Sequence, residues 1–518
     1  MQCRVTTIAA SVLLAISTNG CGGTSGYTST GSSTATSGTG ALLSTAEAAT
    51  VGTVLSLPVK TELAGTTTIV PTMTQETNSA PTTTQATTTV PNSTQSSTVA
   101  ATSTQTPTAS NNISTNSTAT TNSTLPLVNS TDITYQGAFR FPDLPYTGNV
   151  CDSLTYAARG VAFDPEGNSG QGSLFVTGHE QCGARVAEVS IPTAVISTNL
   201  ATLPRSEMLQ KKPSTVVDAL EGKFEASGIR GGTTTTVNGL LVYKGNLIIS
   251  AGNDYSYDPT GAHWSRSKNL SLLGQVSSQF TLVGNLGYGS ARLTSGYMCH
   301  VPGEFQNTLG GPALTGWVAG SIVSATSDGP SIFAFDPAKL AAGVNETKTL
   351  LVYPDGNNLQ KSIPGQTQNI WNWTSMTRGC AIPNGTRSIL FVGSHGTGEF
   401  QYGVGGTSGH TNTTPRVSIY DPSDDSTGEH AWPYRYQVWA YDVNDVAKVR
   451  SGGLRPYEPK PYAVWQFTIP FENPNDRHNT GGVAYNPKLR QLYFVQQFAG
   501  PFGEPIVHVF GVNNATPN

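Results

Sequence analysis

Short apolar runs, separated by Gly, Asn-Pro, Asp-Pro and Lys-Gly turns, fill the C-terminal three quarters of the chain and recur as one phrase. A first run opens after a glycine, a tight turn follows, and a second, more continuous apolar run answers it. The phrase reads Gly160-Val-Ala-Phe-Asp-Pro with Leu174-Phe-Val-Thr-Gly-His179, then Gly239-Leu-Leu-Val-Tyr-Lys-Gly with Leu247-Ile-Ile-Ser-Ala-Gly252. It returns as Gly379-Cys-Ala-Ile-Pro-Asn-Gly with Leu390-Phe-Val-Gly-Ser-His395, and as Gly481-Gly-Val-Ala-Tyr-Asn-Pro with Leu492-Tyr-Phe-Val-Gln496. A diverged copy opens at Gly296-Tyr-Met-Cys-His-Val301 and continues in Ala313–Ser324. Apolar runs bounded by such turn dipeptides predict antiparallel hairpins. Third strands are expected at Arg185–Ile191, Ser331–Asp336, Arg416–Asp421, Gln437–Asp442 and Ile506–Phe510. Aromatic-rich fourth strands are expected at Gln279–Val283, Lys348–Tyr353 and Tyr462–Ile469, and helix only at Thr215–Glu225 and Pro337–Ala342.

Recurrence of a whole phrase, rather than of mere alternation, argues for an array of like β units and against a β-sandwich. The expected fold is all-β, a β-propeller with first strands at 160, 239, 296, 379 and 481,. That makes five blades; the hairpin-like segment 416–443 leaves six or seven as alternatives. Ile133-Thr-Tyr-Gln-Gly-Ala-Phe-Arg-Phe-Pro142 resembles the outer strand Tyr462-Ala-Val-Trp-Gln-Phe-Thr-Ile-Pro470. The chain ends on a third strand, so strand 133–141 is expected to complete the last blade and remove an exposed edge. The phrases resemble those of extracellular propeller repeat proteins in general, quinoprotein-like and sugar-processing ones among them. That resemblance implies a scaffold and no single reaction.

Composition divides the 518 residues. Arg4 and the short apolar stretch Ile8–Ile16 give residues 1–20 the form of a signal peptide,. Cys21-Gly-Gly resembles the lipidated cysteine of bacterial lipoproteins, whereas Thr18-Asn19-Gly20 departs from the usual box; lipidation and simple cleavage both fit,. Residues 22–131 are a low-complexity Ser/Thr-rich tract whose only charges are Glu47, Lys60, Glu62 and Glu76. So little apolar surface cannot offset chain entropy, so a disordered stalk is expected. Its sequons at Asn92, Asn116, Asn122 and Asn129 matter only in a glycosylating host,. The domain, 132–518, holds all the histidines. With a net charge of -4 and no basic run, nucleic acid is excluded as a partner,. No second apolar stretch is long enough to span a bilayer, so membrane contact is expected only through a lipid anchor. The expected form is a monomer, exported to the cell surface or the extracellular space.

In an exported chain an even set of domain cysteines permits disulfides. Cys151 and Cys182 flank the first phrase and form the candidate pair; Cys299 and Cys380 lie within first strands and read as buried thiols.

In a propeller, the segments leading into the first strands and the loops after the second strands share one face, where ligands usually sit. The leading segments carry Arg159, Arg292, Arg378 and His478, with Arg230 close by; the loops carry His179, Asp254, His395 and Gln496. The expected mouth is therefore cationic. Planar guanidinium forks suit carboxylate, sulfate or phosphate, although buried arginines also serve as structural ties. His179, His395 and His478 are candidate acid/base groups. Tyr255, Tyr257, Trp264, Trp371 and Trp373 suit either sugar stacking or inter-blade packing,. Asp421-Pro-Ser-Asp-Asp-Ser-Thr-Gly-Glu429 has the composition of a calcium loop without its spacing, which makes calcium a candidate cofactor,. Three functions are compatible: binding a small-molecule, anionic or glycan ligand at the channel mouth, hydrolase or lyase action on acidic carbohydrate, and a non-catalytic protein-interaction platform. Paired inward carboxylates, which glycosidase chemistry needs, are absent from the leading positions.

Overall fold

The computed structural model describes residues 124–144, 147–210, 216–224, 235–253, 261–287, 291–317, 327–407, 419–473 and 475–516. The expected signal peptide, Cys21, the stalk up to residue 123, Arg230, Asp254, Tyr255 and Tyr257 lie outside the described residues.

The described chain is mostly β and forms several sheets. Strand β1 (Ile133–Arg140) is followed by β2 (Val161–Asp164), β3 (Ser173–Thr177), β4 (Arg185–Ser190) and β5 (Val217–Asp218), which pair in the order β2-β3-β4-β5. Next come β6 (Thr235–Tyr243), β7 (Asn246–Asn253), β8 (Gly261–Ser267) and β9 (Phe280–Gly284). They share an eight-stranded sheet with β10 (Met298–His300), β11 (Ala313–Thr315), β12 (Ile332–Phe335) and β13 (Gly343–Leu351). The order β10-β11-β12-β13-β9-β8-β7-β6 contains a parallel seam, β13 with β9, from Gly343↔Phe280 to Thr347↔Gly284. The end strands β6 and β10 touch, so this sheet nearly closes on itself.

The chain continues through β14 (Gln366–Thr367), β15 (Met376–Ala381), β16 (Ser388–Gly396), β17 (Glu399–Val404), β18 (Thr427–His430), β19 (Tyr434–Asp442) and β20 (Ala463–Phe467). Strands β15-β16-β19-β20 form one sheet and β14-β17-β18 a small one, whose β17 and β18 lie between β16 and β19 in the chain and whose β14 precedes β15. Finally β21 (Thr480–Asn486), β22 (Gln491–Gln496) and β23 (Ile506–Val512) are joined by β1 in the order β1-β23-β22-β21. The β1 register runs from Ile133↔Val512 to Arg140↔Ile506, at the edge where the sequence expects it.

The strands that open the phrases touch in a cycle: β2 with β6, β6 with β10, β10 with β15, β15 with β21, and β21 with β2. Glycine permits this approach. A Cβ on Gly160 would lie 3.2 Å from the Cα of Gly239, and one on Gly482 only 2.6 Å from the amide nitrogen of Val161. A Cβ on Gly239 would meet the Gly296 carbonyl, and one on Gly379 the Val483 side chain. Cross-ties reinforce the cycle: Gly482 N–H donates to the Ala158 carbonyl (2.9 Å) and the Ser250 hydroxyl to the Gly296 carbonyl (2.6 Å). Away from the axis, facing sheets bury interdigitated apolar side chains. Phe175 and Val186, for example, pack in one core with Leu240, Ile249 and Trp264. Each such side chain contributes about 1.5–3 kcal/mol of burial.

Several expectations are corrected. Cys151 and Cys182 are bonded as expected, but Cys299 and Cys380 also form a disulfide, which ties β10 to β15. Within the expected helix Thr215–Glu225, the described residues 216–224 hold instead the short strand β5 and turns, since Val216, Val217, Ala219 and Leu220 are all buried. Pro337–Ala342 makes only a single turn, Pro337–Lys339. The expected strand Arg416–Asp421 is not one at Ile419–Asp421, and its first residues lie outside the described residues. Residues 124–131, assigned to the stalk by composition, are held to the fold. Val128 is fully buried, its N–H donating to the Ser388 hydroxyl (2.8 Å) and its carbonyl accepting from Tyr462 (2.7 Å).

A Gly239→Ala variant is expected to lose about 1–3 kcal/mol to overpacking. Gly428→Ala, whose Cβ would meet nothing within 4 Å, is expected to stay within about 0.5 kcal/mol of the parent. Urea unfolding of both variants measures the difference; equal midpoints would remove the packing argument.

Candidate ligand site

Just before its glycine, several of the cycle's strands carry an extra residue. The register slips between Val237 and Gly239, between Thr377 and Gly379, and between Thr480 and Val483. A bulge of this kind re-aims the side chain it carries. The bulged residues include Asn238 and Arg378, and Arg159 stands in the same place before Gly160.

Arg159 and Arg378 are both buried, and they are close enough for the charge of Arg378 to act on Arg159. Burial, then the Arg378 charge, pushes Arg159 down to about 9, with Glu180 opposing. Burial likewise pushes Arg378 down to about 10 against the pull of Glu180. Glu180, on the loop after β3, lies 3.7 Å from Arg159 Nη1. The sequence reading missed Glu180, although it directly follows His179 in a loop already singled out. Among the described residues, Nε and Nη1 of Arg378 have no hydrogen-bond partner.

Arg266 shows what a structural tie looks like in this fold. It is equally buried, yet it donates to the carbonyls of Ser267 (3.1 Å), Ala219 (3.0 Å) and Leu272 (2.9 Å). Arg292, fully buried in the turn Ala291–Thr294, stacks instead 4.6 Å over Trp317, and burial pushes it down to about 10. The Trp317 carbonyl accepts from Thr377 (3.2 Å), one residue from Arg378. This tryptophan's role was not legible, because Trp317 falls inside the expected strand Ala313–Ser324.

The three candidate histidines bond to groups other than these arginines. His395 Nε2 faces the Gln368 carbonyl and Nδ1 the Ser375 hydroxyl, both at 2.8 Å, so Nε2 carries the proton and both nitrogens are engaged. Burial pushes it down to about 4. His478 Nδ1 is 2.8 Å from the Asp476 carbonyl and Nε2 meets the Glu472 carboxylate. His179 accepts from the Gln181 N–H (3.3 Å) and packs 5.3 Å from the Tyr156 ring; burial lowers its pKa, with Glu180 opposing. Gln496 donates to the Phe471 carbonyl (2.9 Å) and accepts from His508 Nε2 (2.9 Å), so its amide is committed to the fold.

Trp264 and Trp371 are core residues, and Trp373 packs edge-on 5.5 Å from Phe400. Asp328, which the sequence reading missed, bonds to Trp373; burial and then Asp355 push it up to about 6. In the acidic segment the two buried carboxylates, Asp421 and Asp424, are already engaged. Asp421 Oδ2 accepts from His430 and Tyr434 (both 2.8 Å), Oδ1 from the Ser423 N–H (3.0 Å), and Asp424 pairs with Arg477. A calcium ion there would have to displace these partners.

No family model matches the chain, and no curated protein matches it.

Three fully buried imidazoles set the acid response. Burial pushes His263 and His395 down to about 4 and His508 to about 3. Their folded pKa values lie below the unfolded value of about 6.5, so their stabilising contribution is complete above that pH and is lost as pH falls toward 4, by about 3 kcal/mol each. Asp328 runs the other way over part of this window and offsets about one of them,. The urea midpoint is therefore expected to stay level from about pH 8 to 6.5 and to drop steeply below. A level profile down to pH 4 would contradict buried, neutral rings.

Proposed function

We propose that the chain is an exported five-bladed β-propeller that binds an anionic ligand, such as an acidic glycan, between Arg159 and Arg378 at one mouth of its axis. The cycle of touching first strands supports the propeller reading. On that reading, the eight-stranded sheet is two blades fused along their outer strands by the β13–β9 seam, and β1 completes the last blade. Two disulfides suit an oxidising compartment,, and no helix among the described residues is long and apolar enough to cross a membrane.

The observation that carries the ligand reading is the contrast between Arg378 and Arg266. A buried guanidinium with unpaired N–H groups costs stability unless something pairs them. Arg266 is paired with carbonyls; Arg378 leaves Nε and Nη1 for a ligand. A carboxylate or sulfate accepting both would gain a charge-assisted, two-pronged contact. The hydrolase or lyase alternative draws on one observation, the Asp328 carboxyl held protonated toward neutral pH beside Trp373,.

Calorimetric titration of the intact protein with trigalacturonate, and with a neutral trisaccharide as control, tests the reading. Only the acidic sugar is expected to bind. Arg378→Met is expected to weaken it at least about tenfold while raising stability by about 1–3 kcal/mol. Undiminished binding with lowered stability would make Arg378 a structural tie and end the ligand reading. Release of new chain ends from polygalacturonate would favour the enzyme alternative.

A further inference from the structure

The opposite end of the same axis holds a cavity of different chemistry. It has a volume of about 290 Å³ and is lined by residues that follow the phrase glycines on β2, β6, β10, β15 and β21. Since these strands run the same way round the cycle, the cavity and the arginines are separated by the glycine contacts. Its walls include Leu241, Met298, Ile382 and Val483, with the Cys299–Cys380 disulfide between them. Among the described residues, no Asp, Glu, Lys or Arg lines it. A charged ligand would lose its hydration there without gaining a partner. An apolar cavity of about 150 Å³ already admits a benzene-sized molecule.

The polar group that distinguishes this space is His300. Its side chain is exposed, lines the cavity, and stacks 6.5 Å from the Tyr243 ring. Its pKa is lowered against the pull of the Val242 carbonyl, which favours the neutral ring, with one nitrogen protonated and one bare,. The bare nitrogen is then an acceptor. The neighbouring Gln306 amide is already bonded to the Val301 carbonyl (3.0 Å).

We propose that this cavity is a second binding site, for a small, uncharged, largely apolar molecule bearing one hydrogen-bond donor, of the phenol type, with His300 as the acceptor. The site stands independently of the anion reading, because it shares no residue with the arginine end.

Fluorine NMR of the intact protein with 4-fluorophenol and 4-fluorotoluene tests it. Both are expected to bind, the phenol about five- to tenfold more tightly, the difference that one net hydrogen bond supplies. His300→Leu is expected to bring the two affinities together. Gly303 lines the cavity, and a Cβ there would meet nothing within 4 Å. Gly303→Trp is thus expected to fold normally and to abolish both signals. Absence of binding to the parent protein, equal affinity for the two ligands, or undiminished binding to Gly303→Trp would each overturn the proposal.

Discussion

The fold depends on backbone meeting backbone at glycine around one axis. The strands that open each phrase approach so closely that a Cβ on Gly239, Gly379 or Gly482 would strike the neighbouring strand. Everything outward of that contact is ordinary sheet pairing and apolar packing, which tolerates substitution. The contact itself does not, because at Gly239 and Gly482 the nearest atoms are backbone that cannot rotate away, and at Gly379 they are the β-branched Val483 side chain. The same constraint places the candidate site. A strand that must present glycine to its neighbour takes up the mismatch with a bulge one residue earlier, and the bulge turns Asn238 and Arg378 out of the ladder. The residue that makes the phrase legible and the residue that gives it chemistry are therefore adjacent for a geometric reason.

What was legible in the sequence was whatever rests on local patterning. Gly160, Gly239, Gly379 and Gly481 mark first strands because turns and apolar runs flank them, and the strand at Ile133 was placed by its likeness to Tyr462–Pro470 and by a missing partner at the chain's end. What was not legible rests on distance in sequence. Cys299 and Cys380 are 81 residues apart, each embedded in an apolar strand, and nothing local separates a buried thiol from a bonded one. Val128 sits in a stretch whose composition is that of a disordered chain, and contacts with residues far along the chain, Ser388 and Tyr462 among them, hold it. The segment around Leu220 has helical composition, but tertiary burial overrides so weak a preference,.

For the candidate site, residue type was readable and role was not. Arg159 and Arg378 lie near enough for one charge to act on the other, and His395 and Gln496 were grouped with them on the grounds of strand position alone. The difference lies in what each side chain already bonds. His395 and Gln496 have every polar atom engaged by the protein, whereas Arg378 does not. Saturation of hydrogen bonds is a property of the folded surroundings and has no signature in the sequence. Arg266 and Arg378 are the same residue type, equally buried, and opposite in this respect.

The attachment of Leu125–Val128 has a mechanical consequence. In β1 and β23 the end nearest the preceding chain, Ile133, faces Val512, so tension from the N-terminal side would peel this seam one rung at a time, the weakest way to load a sheet. Ahead of it, Arg387 bonds the carbonyls of Leu125 and Pro126, while Ser388 and Tyr462 hold Val128. These anchors belong to a different sheet, β15-β16-β19-β20, and its neighbouring chain. A pull on the leading chain is thus borne first by a clasp on that sheet, and the seam that joins the two ends of the folded region stays slack.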